Sequence, residues 1–187
     1  MDFEKVIKQR ASIRNYSDKK VDSDKIMEII EAANLAPSPG NLPILKFIIV
    51  EEKETINKIS QACQQSFIKT APVLVVVCSE SKNTDKMYDE RADKYIKQHA
   101  GAVIENFLLK VTDMKLASCW VGAFSDVSIK NILKISNDID IEAILPIAYQ
   151  AKTDDTKQKQ KPSLMNTCYF EEWKNKYKKE IRKIGTN

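Results

Sequence analysis

Two of the four arginines in this chain, Arg10 and Arg14, stand four residues apart in the stretch QRASIRNY, in a protein that otherwise takes its positive charge from 26 lysines. Arg10, Ser12 and Arg14 alternate, so an extended segment points all three to one side; a helical segment would do the same for the two arginines. Two guanidinium forks and a hydroxyl suit a phosphate, because arginine offers paired donors in a fixed plane. The same cations could instead sit at a helix end and answer its C-terminal dipole. The residues alone leave both readings open.

Absences narrow the chemistry. His99 is the single histidine and lies among apolar neighbours, which favours a core imidazole over a general base. Hydrolases built on a histidine base and metal sites built on several histidines are therefore disfavoured. Cys63, Cys78, Cys119 and Cys168 are widely spaced and form no CxxC pair, so they read as free thiols rather than a disulfide framework or a zinc site. With four glycines in all, neither GxGxxG nor GxxxxGK[ST] occurs. The net charge of +4 sits in the tail: from Lys152 to Asn187 there are ten Lys/Arg against five Asp/Glu, and the rest is close to neutral. A lysine-rich tail without a recognisable reading motif does not read as a nucleic-acid surface.

A chain of 187 residues, 43% hydrophobic, can bury a substantial core, and the expectation is one domain over 1–187 with a helical tail from about 164. No apolar run is long enough to span a bilayer, and the opening MDFEKVIKQR lacks a signal-peptide core, so a cytoplasmic protein without membrane partners is expected. Helical spacing predicts a first helix from Phe3 to Gln9 or Arg10 and a second, capped by Asp22 or Ser23, that ends at APSPGNLP. ILKFIIV and PVLVVVCS are β-branched runs that fit strands covered on both faces. Between them Ile56, Ile59 and Ala62 mark a modest helix. SCWVGAF and AILPIAYQ read as two further strands, separated by a helix capped by Asp126 or Ser128. A continuous helix of about 40 Å is expected from Asp85 to Lys115 at 1.5 Å per residue. Its small cluster at Ala100–Ala102 permits close approach of a second subunit. The stretch YFEEWKNKYKKEIRK predicts an amphipathic helix in the tail. Helices alternating with buried strands indicate an α/β domain with helical layers on a sheet, and spacing alone would suggest parallel pairing.

Four motifs taken in order resemble the flavin-dependent nitroreductase family. QRASIRNY is similar to its RRSIRxF opening, and APSPGNLP to its APSxxNxQPW loop. KLASCWVGAF is similar to LGxxxxWIGxF, and AILPIAYQ followed by KQKP to its LPIGYP…RxRKP ending. The resemblance runs from about Phe3 to Ser163. It departs at Leu42-Pro43-Ile44, where the family has Gln-Pro-Trp, at Ala117 and Ala148, where glycine is usual, and at two lysines in place of arginines.

The resemblance implies an α/β (α+β) nitroreductase-like fold, with a mixed, mostly antiparallel sheet flanked by helices, and an intertwined homodimer binding FMN between subunits. It implies that Arg10, Ala11, Ser12 and Arg14, with Lys159 and Lys161, hold the FMN phosphate and ribityl chain. Pro37, Ser38, Gly40 and Asn41 would come from the facing subunit to the ring, and Val121, Gly122 and Ala123 would present backbone to it. No side chain is then needed as a catalyst, since the flavin carries the electron chemistry. The implied activity is an oxidoreductase that passes electrons from NAD(P)H through FMN to a nitroaromatic, quinone or flavin. The other reading is an FMN carrier or sensor without nicotinamide turnover.

Overall fold

The computed structural model describes residues 2–151 and 162–176. By proximity the chain divides into two compact units, Met1–Thr156 and Lys157–Asn187.

The first unit is organised around one strand. β2 (Val73–Glu80) lies between β1 (Leu45–Val50) and β3 (Ile139–Ile147), antiparallel to both, with Val76 facing Ile48 on one side and Ile144 on the other. From Val73 to Ser79 every residue of β2 is buried. Successive side chains point to opposite faces, so an unbroken apolar run can serve two cores only if both faces are covered. Val73, Val75 and Val77 join Ala143, Leu145 and Ile147 in one layer, beneath α2 (Ser23–Asn34) and α5 (Ala92–Asp113). Leu74, Val76 and Cys78 join Ile144 in the other, beneath α3 (Lys53–Ala62) and α6 (Asp126–Leu133). β1 departs from the expectation of burial on both faces: Lys46 and Ile49 are exposed, as fits an edge strand.

The helices begin and end for local reasons. α1 (Phe3–Gln9) stops at Arg10, whose amide still donates to Val6. α2 starts after Asp22, and in α3 the Glu52 carboxylate caps the amides of Glu54 and Thr55. α6 is capped by Ser125, one residue before the expected Asp126; its hydroxyl accepts from the Ser128 amide at 3.4 Å. The expected 40 Å helix is two: α4 (Lys82–Tyr88) and α5 are separated by a turn at Asp89–Arg91, with Asp89 at φ 45°, ψ −126°. The apolar spacing continues across the break, which is why periodicity alone does not reveal it. At 1.5 Å per residue α5 is about 33 Å long.

Two more expectations are corrected. Pairing is antiparallel rather than the parallel order that spacing suggested. SCWVGAF is no regular strand: Ala117 pairs with Ala148 and Val121 with Ile144, but the residues between them do not join the ladder. That register sets Cys119 opposite Pro146, which has no amide to donate. A register shift at Val77/Cys78 displaces Glu142, whose buried carboxylate accepts from Ser79 Oγ at 2.6 Å and Lys97 Nζ at 2.9 Å, tying β3 to α5.

In the second unit α7 (Leu164–Thr167) is a single turn, followed by a bend in which the Phe170 amide donates to Asn175 at 2.9 Å. The expected tail helix does not form over the described part of its span, because Glu171 and Lys174 take φ of 62° and 67°. Tyr177 and Ile181, on which the pattern also rested, lie outside the described residues.

Phe107 is fully enclosed where α5 meets the sheet. Phe107→Ala is expected to cost about 3–5 kcal/mol through lost transfer energy and a residual cavity. Urea unfolding followed by circular dichroism measures it.

Candidate functional site

Residues 10–15 leave α1 without regular secondary structure, and exposure alternates from Ser12 to Arg14. Ile13 turns inward to the α3–α6 core, while Ser12 and Arg14 face outward. The segment is stitched to the broken strand by the Ile13 amide, which donates to the Ser118 carbonyl at 2.9 Å. Tyr16 pairs with Gln150, and its hydroxyl donates to the Ile13 carbonyl at 2.6 Å. The stitch sets Ser12 in hydrogen-bond contact with the Cys119 thiol, close enough that the Arg14 and Arg10 charges both act on it. Burial pushes the Cys119 thiol up, and those cations and Ser12 oppose the shift. Cys63 and Cys78, enclosed in the core, are pushed up to about 11 by burial. Cys168 is exposed, the exception among the four.

Arg10 is therefore both a helix-end residue and a member of a cluster. It also meets a partner that the sequence did not signal: Glu105 on α5 approaches Arg10 Nε at 3.5 Å. The acid lies between buried Ile104 and part-buried neighbours, and nothing in its spacing singles it out. Arg14 makes no ion pair among the described residues; its guanidinium stands 5.8 Å from the centre of the Phe67 ring.

The broken strand continues into exposed backbone. Val121 exchanges both backbone hydrogen bonds with Ile144, at 3.1 and 3.0 Å, which anchors the start of the segment expected from sequence to present its backbone. Gly122 and Ala123 follow it on the surface, and the Ala123 carbonyl accepts from Gln65 Nε2 at 3.2 Å. A Cβ on Gly122 would meet only Trp120 Nε1, at 3.9 Å. The chain's own packing does not require glycine there, and the space before it is open.

The APSPGNLP loop is positioned by other neighbours. Gly40 takes φ +57°, and a Cβ there would lie 2.8 Å from Met87 Sδ and 3.0 Å from Tyr88 Oη, so the turn is pressed against α4. Pro37 and Ser38 line a groove of about 440 Å³ with Tyr88, Tyr95, Gln98 and His99. Tyr88 and Tyr95 meet edge to face at 5.0 Å. Ala102, at the end of the groove, stands one helical turn from Glu105, so α5 borders both the groove and the arginine cluster. The structure stitches the Arg10–Arg14 segment to Ser118 at the head of the broken strand, and joins Pro37, Ser38 and Gly40 with the α4–α5 groove. Lys159 and Lys161 lie outside the described residues.

Three properties suit a phosphate-bearing planar cofactor: two guanidinium groups beside a hydroxyl, open space before an exposed glycine backbone, and the buried Ser118 Oγ, which has no hydrogen-bond partner among the described residues. The donor set fits FMN. Among the described residues no group of three or more His, Cys, Asp or Glu could hold a metal ion.

His99 is 7% exposed and its Nδ1 has no hydrogen-bond partner. Burial holds its imidazole below the ordinary histidine range. The folded state therefore binds its proton more weakly than the unfolded chain, whose histidine titrates near 6.5. The contribution is fully present above about pH 6.5 and is lost as pH falls through the lower folded value. NMR titration of this single histidine should give a midpoint below 6.5 and stability should decline on that acid limb; a midpoint above 6.5 would contradict the assignment.

The model of the nitroreductase family matches residues 7–69 and 59–149. A protein of Archaeoglobus fulgidus provisionally named NADH dehydrogenase/NAD(P)H nitroreductase is 31% identical over 150 residues, covering 78% of this chain and 83% of the relative. Among solved structures, a nitroreductase family protein from Clostridium difficile 630 superposes with TM-score 0.81 at 28% identity, over 92% of this chain and all of the other. An FMN-dependent nitroreductase from Clostridium difficile R20291 superposes with TM-score 0.76 at 25% identity, over 90% and 98%. A family model matched over 7–149, most of the chain, shows that this chain is a member of the nitroreductase family.

Proposed function

We propose that this protein is an FMN-dependent oxidoreductase that takes electrons from NAD(P)H and delivers them to a small organic acceptor. The observation that carries the reading is the arginine-bearing segment from Arg10 to Arg14, stitched to the broken strand by the Ile13–Ser118 hydrogen bond at 2.9 Å, in a chain that the nitroreductase family model matches. Bound FMN would supply reversible hydride and electron transfer, which is the chemistry no side chain of this chain offers. The FMN dependence of one relative and the NAD(P)H in the name of another support the same assignment.

The chain's own residues then have defined tasks. Arg14, free of a carboxylate partner among the described residues, and Arg10, restrained by Glu105, hold the phosphate. Ser12 and the backbone of Ala11 hold the chain behind it, and Gly122 and Ala123 admit the ring edge. Lys159 and Lys161, which the family resemblance also assigns to the phosphate, lie outside the described residues. Pro37, Ser38, Gly40 and Asn41 serve the ring of a facing subunit.

That last assignment needs a homodimer. Its support is apolar surface left uncovered on one chain: Phe3 and Ile7 on α1, Met27 on α2 and Leu35 after it are exposed, and nothing lies within 4 Å of where a Gly101 Cβ would be. Among the described residues no helix is long and apolar enough to cross a membrane. A cytoplasmic location, one functional domain over 1–187 and no nucleic-acid partner complete the proposal.

Purified protein should be yellow, and NADH or NADPH should bleach its band near about 450 nm without oxygen, a wavelength set by the flavin. Colourless protein that takes up no added FMN would sink the proposal, and stoichiometric flavin that neither nicotinamide reduces would turn it to the carrier reading. Arg10→Ala and Arg14→Ala should each weaken flavin binding by about 1.5–3 kcal/mol with the fold retained, read by fluorescence titration and circular dichroism. Sedimentation should give twice the mass of the 21.3 kDa chain.

A further inference from the structure

Among the described residues, Glu105 is the acid that forms an ion pair with the arginine segment: Oε1 stands 3.5 Å from Arg10 Nε. Both stems are fixed before the heads meet. Arg10 closes α1 through its amide bond to Val6 and is held downstream by the Ile13–Ser118 hydrogen bond. Glu105 projects from α5 where Val103, Ile104, Phe107 and Leu108 are all buried, so its backbone cannot shift without disturbing the core. The Arg10 side chain is 23% exposed and that of Glu105 50%, which leaves the pair open to solvent and to a ligand.

An acid is an unexpected neighbour for a phosphate clamp. Its charge opposes the phosphate and cancels one of two cations, and a half-exposed pair adds little to stability. What it supplies is direction: a carboxylate whose nearest approach is to Nε fixes the last torsions of a long stem and leaves the terminal nitrogens of the fork for another anion. Arg14 has a support of a different kind, the Phe67 ring 5.8 Å from its guanidinium, so each fork is oriented once.

We propose that Glu105 is a positioning residue for the cofactor's phosphate: by setting Arg10 before FMN arrives, it makes the chain select the phosphorylated flavin over riboflavin. The proposal rests on the reading of Arg10 as a phosphate ligand given above. An arginine that is ordered only at binding weakens the complex by the rotamer freedom it then loses, about three- to ten-fold in Kd for one long side chain. A flavin without a phosphate makes no call on Arg10 and is indifferent to how it is held.

The full chain, stripped of flavin, is titrated with FMN and separately with riboflavin, by quenching of flavin fluorescence. Glu105→Ala should weaken FMN about three- to ten-fold and leave riboflavin unchanged, and Glu105→Gln, which keeps an acceptor oxygen without the charge, should recover most of the loss. In an Arg10→Ala background Glu105→Ala should have no further effect, the signature of one residue acting through the other. Tighter FMN binding in Glu105→Ala would mean that the acid only repels the phosphate; equal losses for FMN and riboflavin would mean a structural role; an undiminished loss in the Arg10→Ala background would mean that it acts elsewhere. Each of these overturns the inference. If the alanine variant does not fold by circular dichroism, Glu105→Asp, which keeps the charge and shortens the reach, should lose FMN affinity alone, and equal losses there overturn it too. Wild-type protein that binds FMN no better than riboflavin, or an Arg10→Ala variant that binds FMN normally, defeats the underlying phosphate reading; an effective Arg10→Ala with a silent Glu105→Ala defeats only this one.

Discussion

Burial of β2 on both faces is the constraint from which the arrangement follows. A strand of valines and leucines with no solvent face must have helices above and below and strands on both sides, or it exposes apolar surface and unpaired backbone groups together. β1 and β3 satisfy the backbone, α2 and α5 close one face, and α3 and α6 close the other. Fixing β3 in this way fixes the segment that leans on it. Ala117 and Val121 can reach only Ala148 and Ile144, and Pro146 leaves the middle of that contact open. The site's exposed backbone is thus a consequence of an imperfect sheet edge held against a rigid interior.

The same edge explains how a cation cluster can be kept without a matching set of acids. Arginine forks are costly to bury and gain little from isolated exposed pairs, so they are held best where a backbone stitch fixes their stems and the heads stay wet. The Ile13–Ser118 hydrogen bond does this for the QRASIRNY segment, with Tyr16 locking the far end. Glu105 restrains one guanidinium at a part-exposed distance and leaves the other available. An anion arriving here meets charge already in position, so the ordering cost is met in folding rather than in binding.

Much of this was legible in the amino acids. The spacing of Arg10, Ser12 and Arg14 left a helix end and a non-helical course both open, and the β-branched runs located β1 and β2. The helix stop at APSPGNLP followed from proline and glycine chemistry. What escaped had no local signature. Asp89 breaks a helix through its backbone angles while the apolar spacing runs on, so periodicity joined α4 to α5. Pro146 disables pairing at Cys119, which lies 27 positions away in the chain, a register effect that only the fold reveals. The two hydrogen bonds that tie Val121 to Ile144 were equally invisible, being a pairing across 23 positions of chain. Glu105 was one more polar residue on a helix until Arg10 arrived beside it.

α5 carries both halves of the chemistry in sequence. Its Glu105 stands by the arginine cluster, and one turn earlier Ala102 begins the uncharged groove that ends at Tyr95 and His99. A flavin enzyme must hold a strongly charged cofactor and admit an electron acceptor against the same ring. If one surface did both, the cations that retain the phosphate would also attract anions to the acceptor position and hold them there. Glu105 on one turn of α5 and the uncharged groove lining on the turns before it, where Lys97 is paired with Glu142, separate the two tasks by distance rather than by a moving part. The break at Asp89 belongs to the same design: it lets Tyr88 fold back edge to face on Tyr95 and close the neutral end with an aromatic wall, a shape that an uninterrupted helix could not make.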